Sequence, residues 1–553
     1  MPGLAETFDR IGLALEHHLP VSHAAGATIA VTDRDETLGV VVRGFADVAS
    51  GTPVRPETRF MIGSISKSFA AIVVLQEVEA GRLDLHVSVN ELLPWLELPE
   101  PFGPITLHHL LTHTSGLAAG TEDAPTGLGA ASRMRELPPT FPPGERFWYS
   151  NDAYKLVGLV LERVTGHQVP DLLRERIFDP LGMGATVGAI TDDIRTDLAT
   201  GYEPMFTDRP PQLRHPLMPA TFTVSNTADG SIVSNVIDMA AYARLLLNHG
   251  NAPDGRVLSE PMFERLTEKV AVQPDDPGVF YAYGLKTGED WRGPWIGHGG
   301  GMVGYTAALV VEPDSGLGVV VLQNGQGAKE GVVDFTLECV RASIRDQPAP
   351  ASWEPPAPTA VADADAYVGR YRAEDGSDLR VDIDGGGLRI TVGDARARLE
   401  RDPLSAPTDL FAVVHPELER FHLRFGRDGD GRVVEAFHGN SWYRGERYDG
   451  PEPASAPEAW LAYPGLYRND DPWLPALQVT LRKGRLAMSF PVELSDGAEE
   501  GELEPLDGGW FAAGETWEPR RIRFDRLVEG KAVVAEFNGG RWYRSFEDES
   551  RAD

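Results

Sequence analysis

Residues 367–372 read Tyr-Val-Gly-Arg-Tyr-Arg and residues 463–468 read Tyr-Pro-Gly-Leu-Tyr-Arg, 96 residues further on. The likeness returns where each stretch ends. Phe437-His438-Gly439-Asn440-Ser441-Trp442-Tyr443-Arg444 is answered by Phe537-Asn538-Gly539-Gly540-Arg541-Trp542-Tyr543-Arg544, at a spacing of 100. A segment repeated at that period is one unit folded twice. Inside the first copy, short alternating runs at 379–383, 388–392 and 421–425 are separated by Gly and Asp turns, the pattern of antiparallel strands around one core. Two small all-β antiparallel barrels are expected. Proline-rich stretches at 347–358 and 451–457 read as semi-rigid linkers. The layout is therefore a large first domain over 1–346, a linker over 347–362, a barrel over 363–448, a linker over 449–458 and a second barrel over 459–548. Asp428-Gly429-Asp430-Gly431 reads as a hairpin turn rather than a calcium loop.

With 553 residues the chain exceeds one ordinary domain, and its net charge of -32 argues against nucleic acid or an anionic membrane surface as partner. Its single cysteine, Cys339, excludes a disulfide or a cysteine-rich metal site within one monomer. The first ten residues lack a basic and an apolar signal region, and no apolar run reaches membrane-spanning length. A cytoplasmic protein with no membrane partner and no cofactor is expected, with a homodimer left open. His109 and His113 have the i, i+4 spacing of zinc ligands, but Leu110 stands where H-E-x-x-H has glutamate and no third ligand is evident, so no metal is assigned.

The first domain carries three short segments with chemistry in them. Residues 59–63 are extended and apolar, and 67–75 continue without a helix breaker until Gly81, so Ser64 should open a buried helix. A serine there sits among free backbone N–H groups at the positive helix end, which suits an oxyanion formed beside it. Lys67 is one turn on and on the same face, where its amine reaches the serine oxygen and, desolvated, serves as a base. In the second segment, Tyr149-Ser150-Asn151, a turn and a short extended piece lead into a helix start. A phenol beside a lysine can shuttle the proton between nucleophile and leaving group, and Asn151 could hold the substrate's amide. The third, His298-Gly299-Gly300-Gly301, leads into an apolar strand over 306–311; its glycines admit a close backbone approach, and His298 would be a second proton relay.

In this order the three segments resemble the serine β-lactamase and penicillin-binding-protein superfamily, in its class C-like branch with DD-carboxypeptidases, D-aminopeptidases and esterases. That branch carries S-x-x-K, Y-x-N, and K-T-G or H-x-G, and residues 112–117, 228–235 and 297–324 are similar to it as well. The resemblance covers residues 5–345. It implies an α/β (α+β) β-lactamase/DD-peptidase-like catalytic domain, a central antiparallel sheet flanked by helices, followed by two lipocalin-like barrels. By the same resemblance Ser64 is the acylated nucleophile, Lys67 and Tyr149 are base and proton shuttle, His298 stands in the place of the K-T-G lysine, the N–H groups of Ser64 and Gly301 form the oxyanion hole, and Asn151, Gly299 and Gly300 line the substrate.

Lys286-Thr287-Gly288 reads K-T-G literally, but it lies upstream of the paired apolar strands and is read as the strand before the motif. Histidine cannot supply the permanent cation that binds a substrate carboxylate, which moves the expectation away from β-lactamase and DD-carboxypeptidase. Three-domain D-aminopeptidases share the layout with two barrels. The expected function is a serine hydrolase releasing N-terminal D-amino acids from a small peptide, amide or ester, with carboxylesterase or transacylase as the alternative and a non-catalytic sensor behind both. In such aminopeptidases an acidic loop of the last barrel holds the substrate amine; Asp470-Asp471 and residues 496–502 are the acidic loops here.

Overall fold

The computed structural model describes residues 3–118, 126–274, 276–405, 408–492 and 500–546. The chain forms two compact units, Met1–Glu203 with Met218–Glu354, and Pro204–Leu217 with Pro355–Asp553.

The first unit is built on a nine-stranded antiparallel sheet. Its strands are β1 (Ala24–Thr32), β2 (Thr37–Asp47), β3 (Thr52–Pro53), β4 (Ala271–Gln273), β5 (Asp276–Tyr281), β6 (Lys286–Asp290), β7 (Gly293–Met302), β8 (Tyr305–Glu312) and β9 (Leu317–Gly325). They lie in the order β4-β5-β6-β7-β8-β9-β1-β2-β3. Six helices are used below: α1 (Leu4–His18), α2 (Ser66–Glu79), α3 (Leu107–Leu111), α4 (Asn151–Thr165), α5 (Val236–Leu247) and α6 (Glu330–Ile344). The central strand β9 is buried along its whole length, as a strand covered on both faces must be. On one face, Ile11 and Leu15 of α1 and Val332 and Phe335 of α6 share a core with Ile29, Val31, Val319 and Val321. On the other, Gly318 leaves room for Ala243 of α5.

Helix α2 is apolar on nearly every side, so it runs through the interior and carries Lys67 in with it. Helix α4 starts at a serine cap, the Ser150 hydroxyl accepting the Ala153 N–H at 3.2 Å, and stops at Gly166, whose φ of +75° only glycine adopts readily. No described helix is long and apolar enough to cross a membrane.

The second unit holds two closed eight-stranded antiparallel barrels, one from Gly369–Ala373 to Ser441–Gly445 and one from Gly465–Arg468 to Gly540–Arg544. The repeated tyrosines do the same job twice. Tyr371 donates its hydroxyl to the Tyr367 carbonyl at 2.8 Å, and Tyr467 donates to Tyr463 at 2.6 Å, so each buried ring that fills a barrel core also finds the polar partner it needs. The Asp428 carboxylate accepts the N–H groups of Asp430 and Arg432 at 2.9 Å each, with Gly431 at φ +78°, which closes a hairpin turn. Asp471 is buried and accepts the Trp473 N–H at 2.9 Å. Of the other acidic loop, 496–499 lie outside the described residues, while Glu502 pairs with Arg485 at 2.6 Å.

Pro204–Leu217 is an excursion that no local sequence signal announces. The Glu419 carboxylate of the first barrel, 6% exposed, accepts from Arg209 at 2.8 Å, from Arg214 and from His215 at 3.4 Å, and Gln212 donates to the Val413 carbonyl at 3.0 Å.

Candidate active site

Gly63–Ile65 forms a single 3-10 turn that runs straight into α2, so Ser64 sits at the helix entrance as its sequence suggests. Neither Ile62 nor Ile65, the capping positions, offers a side-chain cap, and the Ser64 hydroxyl is instead engaged by Lys67. Lys67 is 0% exposed, and its Nζ meets three oxygens: Ser64 Oγ at 2.9 Å, Asn151 Oδ1 at 2.7 Å and the Asp229 carbonyl at 2.8 Å. Two of the three can only accept. An amine that gives its two protons to Asn151 and Asp229 has its lone pair left for the Ser64 proton, and an ammonium gives one proton to each oxygen. The cradle thus fits Lys67 either as an amine or as an ammonium. Asp229 arrives there because residues 233–234 pair with Phe60–Met61 just before the Ser64 turn.

Tyr149 precedes α4, and its ring centre is 5.0 Å from Lys67 Nζ. His113, just beyond α3, holds it from both sides. The His113 carbonyl accepts the Trp148 N–H at 2.8 Å, His113 Nδ1 accepts the Ser150 N–H at 3.1 Å, and the two rings lie 4.2 Å apart. His113 is fully buried and adopts φ +57°, a left-handed conformation rare outside glycine. His109 plays a different part, accepting the Thr106 N–H at 3.1 Å on Nδ1.

The third segment lies on β7. Only 293–297 pair with β6, leaving 298–302 as an edge beside the Ser64 turn. Strand β6 is the literal K-T-G, with Lys286 opposite Gly297. A Cβ on Gly63 would fall 2.4 Å from the Gly301 oxygen and 2.6 Å from its nitrogen, so the Gly301 peptide packs on the turn that carries Ser64. A Cβ on Gly300 would fall 1.9 Å from the Ile62 carbonyl; the bare backbone there makes room for the protein's own chain. Gly299 is the exposed one, where a Cβ would meet Lys329 Nζ at 3.8 Å and the Ala307 carbonyl at 3.9 Å, both ordinary contacts. We expect Gly300→Ala to push β7 off the turn, costing about 1–3 kcal/mol by overpacking, read as a lower urea midpoint at unchanged slope.

His298 is 6% exposed, and both ring nitrogens are occupied: Nδ1 by the Gly299 carbonyl at 2.5 Å and Nε2 by the Tyr281 hydroxyl at 3.0 Å. Burial, then the Lys286 charge, pulls its pKa from 6.5 down to about 3, so the imidazole is neutral at working pH. Burial likewise holds His113 well below its ordinary range. The fragments at 112–117 and 228–235 had no assigned role in the sequence; they supply His113 and the Asp229 carbonyl. Tyr281 had no signal at all. Beyond Gly301, Gln326 Nε2 donates to the Met302 carbonyl at 3.1 Å and to Glu203 at 3.3 Å, and burial raises the Glu203 carboxyl to about 7.

A beta-lactamase sequence profile matches residues 14–339. Over 388 residues the chain is 31% identical to "Penicillin-binding protein 4" of Amycolatopsis lactamdurans, covering 67% of this chain and 97% of that protein. It is 27% identical over 349 residues to a D-aminopeptidase of Brucella ovis, covering 61% of this chain and 63% of that protein. Among solved structures, the octameric penicillin-binding protein homologue from Pyrococcus abyssi superposes with a TM-score of 0.56 at 23% identity, over 80% of this chain and 98% of that one, a likeness of fold.

Proposed function

The chain belongs to the beta-lactamase family and is a serine hydrolase of the superfamily that includes penicillin-binding proteins, and from that premise we propose that it is an aminopeptidase or amidase acting on N-terminal D-amino acids. The observation that carries the reading is the Lys67 cradle, which lets one buried amine accept the Ser64 proton without losing its other partners. Ser64 Oγ attacks the acyl carbonyl, and its proton passes to Lys67. The oxyanion lies between the N–H groups of Ser64 and Gly301. Tyr149 relays the proton to the leaving amine, the acyl group stays on Ser64, and water repeats the cycle to release it.

Support for the substrate class comes from charge. The neutral His298 supplies no cation of its own for a substrate carboxylate. The Glu203 carboxyl, reached through Gln326 from the carbonyl next to Gly301, is a group that an incoming ammonium would ionise and hold. The D-aminopeptidase relative agrees with this choice, and the stereochemical preference rests on that likeness. The same uncharged imidazole of His298 favours a second reading, a carboxylesterase or transacylase that takes uncharged acyl groups.

The test is hydrolysis of D-alanine p-nitroanilide, its L-isomer, its N-acetyl derivative and p-nitrophenyl acetate, with Ser64→Ala as blank. We expect the free-amine D-substrate to lead both other anilides by about tenfold or more, and Glu203→Gln to erode its lead over the N-acetyl compound. Turnover of the ester alone would move the assignment to the second reading.

A further inference from the structure

Four hydrogen bonds, three of them buried and the last partly so, join the Tyr149 segment to the edge strand. They run from Ser150 N–H to His113 Nδ1 (3.1 Å), between His113 Nε2 and Tyr281 Oη (3.1 Å), between Tyr281 Oη and His298 Nε2 (3.0 Å), and between His298 Nδ1 and the Gly299 carbonyl (2.5 Å). The direction of every proton follows from the two ends. A backbone N–H can only donate, so His113 accepts on Nδ1 and, being neutral, donates from Nε2 to Tyr281. A carbonyl can only accept, so His298 donates from Nδ1 and, being neutral, accepts on Nε2 from Tyr281. Between the two histidines the tyrosine then receives one bond and gives one, and its hydroxyl also faces the phenols of Tyr149 and Tyr154. A proton added to His298 would put two donors on one phenol oxygen and leave the Tyr281 proton to find another acceptor.

We infer that His113, Tyr281 and His298 form a neutral, one-way hydrogen-bonded rod that sets the spacing between Tyr149 and the oxyanion strand, with His113 and Tyr281 as positioning residues and His298 acting through its bond to the Gly299 carbonyl rather than by moving a proton. The inference rests on the reading of Ser64, Lys67, Tyr149 and Gly301 as the acyl-transfer centre. One end of the rod holds the backbone on both sides of Tyr149; the other fixes the peptide two residues before Gly301. Burial, then the phenols of Tyr154 and Tyr149, raise the Tyr281 hydroxyl well above its ordinary 10, so its proton is always present to be given. The strained φ of His113 is the kind of cost retained where a geometry must be held.

The experiment has two independent readouts. The first is nitrogen NMR of the full-length protein labelled at histidine, assigned with His113→Gln and His298→Gln. The expected pattern at pH 7 is His298 as the Nδ1–H tautomer and His113 as the Nε2–H tautomer; an imidazolium or the opposite tautomer at His298 overturns the rod whatever the activity. The second is acylation and turnover with p-nitrophenyl acetate. Tyr281→Phe, which keeps the ring, is expected to lower kcat by about tenfold to a hundredfold with KM within about twofold. His298→Asn, whose amide can still reach the Gly299 carbonyl, is expected to outperform His298→Gln by about tenfold. Equal loss in both, with Tyr281→Phe at wild-type rate, would restore His298 to a proton-relay role and sink the rod. Failure of the wild-type protein to acylate Ser64, with the tautomers as stated, would count against the hydrolase reading while leaving the hydrogen-bond geometry standing.

Discussion

Ser64→Ala is expected to fold with an unfolding midpoint close to that of the parent and to hydrolyse any accepted substrate at least about 10⁴-fold more slowly, because removal of the nucleophile leaves only oxyanion and binding contributions. The folding half follows from structure: Ser64 is partly exposed, its hydroxyl is engaged by Lys67, and no helix cap depends on it. Alanine leaves Lys67 with Asn151 and the Asp229 carbonyl. Mass spectrometry of the intact chain after a brief exposure to p-nitrophenyl acetate makes the test direct. The parent should carry one acetyl group and the variant none; an acetylated variant would place the nucleophile elsewhere.

Lys67→Met is expected to slow the rate by about 10³-fold or more, less than Ser64→Ala, for a different reason and with a different signature. Methionine fills a similar volume and cannot receive the Ser64 proton, so the acylation step itself should slow while KM for a small ester stays within a few-fold. The stability change is expected to be small in either direction, since the variant replaces a buried polar group by an apolar one of similar volume but leaves Asn151 Oδ1 and the Asp229 carbonyl with one donor fewer. Stopped-flow measurement of the acetyl-enzyme burst, beside a urea titration, separates the two effects. A burst at the parent's rate would transfer the role of base to Tyr149 alone.

The closeness of Ser64 and Lys67 was legible because it is local: three residues across the 3-10 turn and the start of α2 bring Nζ to 2.9 Å from Oγ. The duplicated barrels were legible because the tyrosine pair is itself a local device, a ring four residues from the carbonyl it serves. His113 and Tyr281 were not legible as partners. They stand 168 residues apart, and only the way the sheet and the helical region assemble brings them to 3.1 Å. Asp229 contributes a main-chain carbonyl, and a carbonyl leaves no trace in residue identity. Gly300 shows a subtler gap: a glycine states that no side chain is wanted, and the sequence assigned the space to substrate where the Ile62 carbonyl takes it.

The excursion Pro204–Leu217 bears on how such a protein can be divided. A gene fragment cut at the proline-rich stretch near 355 would encode every strand of the nine-stranded sheet, yet it would also carry Arg209, Arg214 and His215 without the glutamate that all three address. The barrel fragment would suffer the mirror defect, a carboxylate built for the interior and stripped of its counter-charges. Modules that recombine freely are joined by one thread; these two share stitches at 203/204, 217/218 and 354/355, so the boundary that looks simplest on a linear map is the wrong place for scissors.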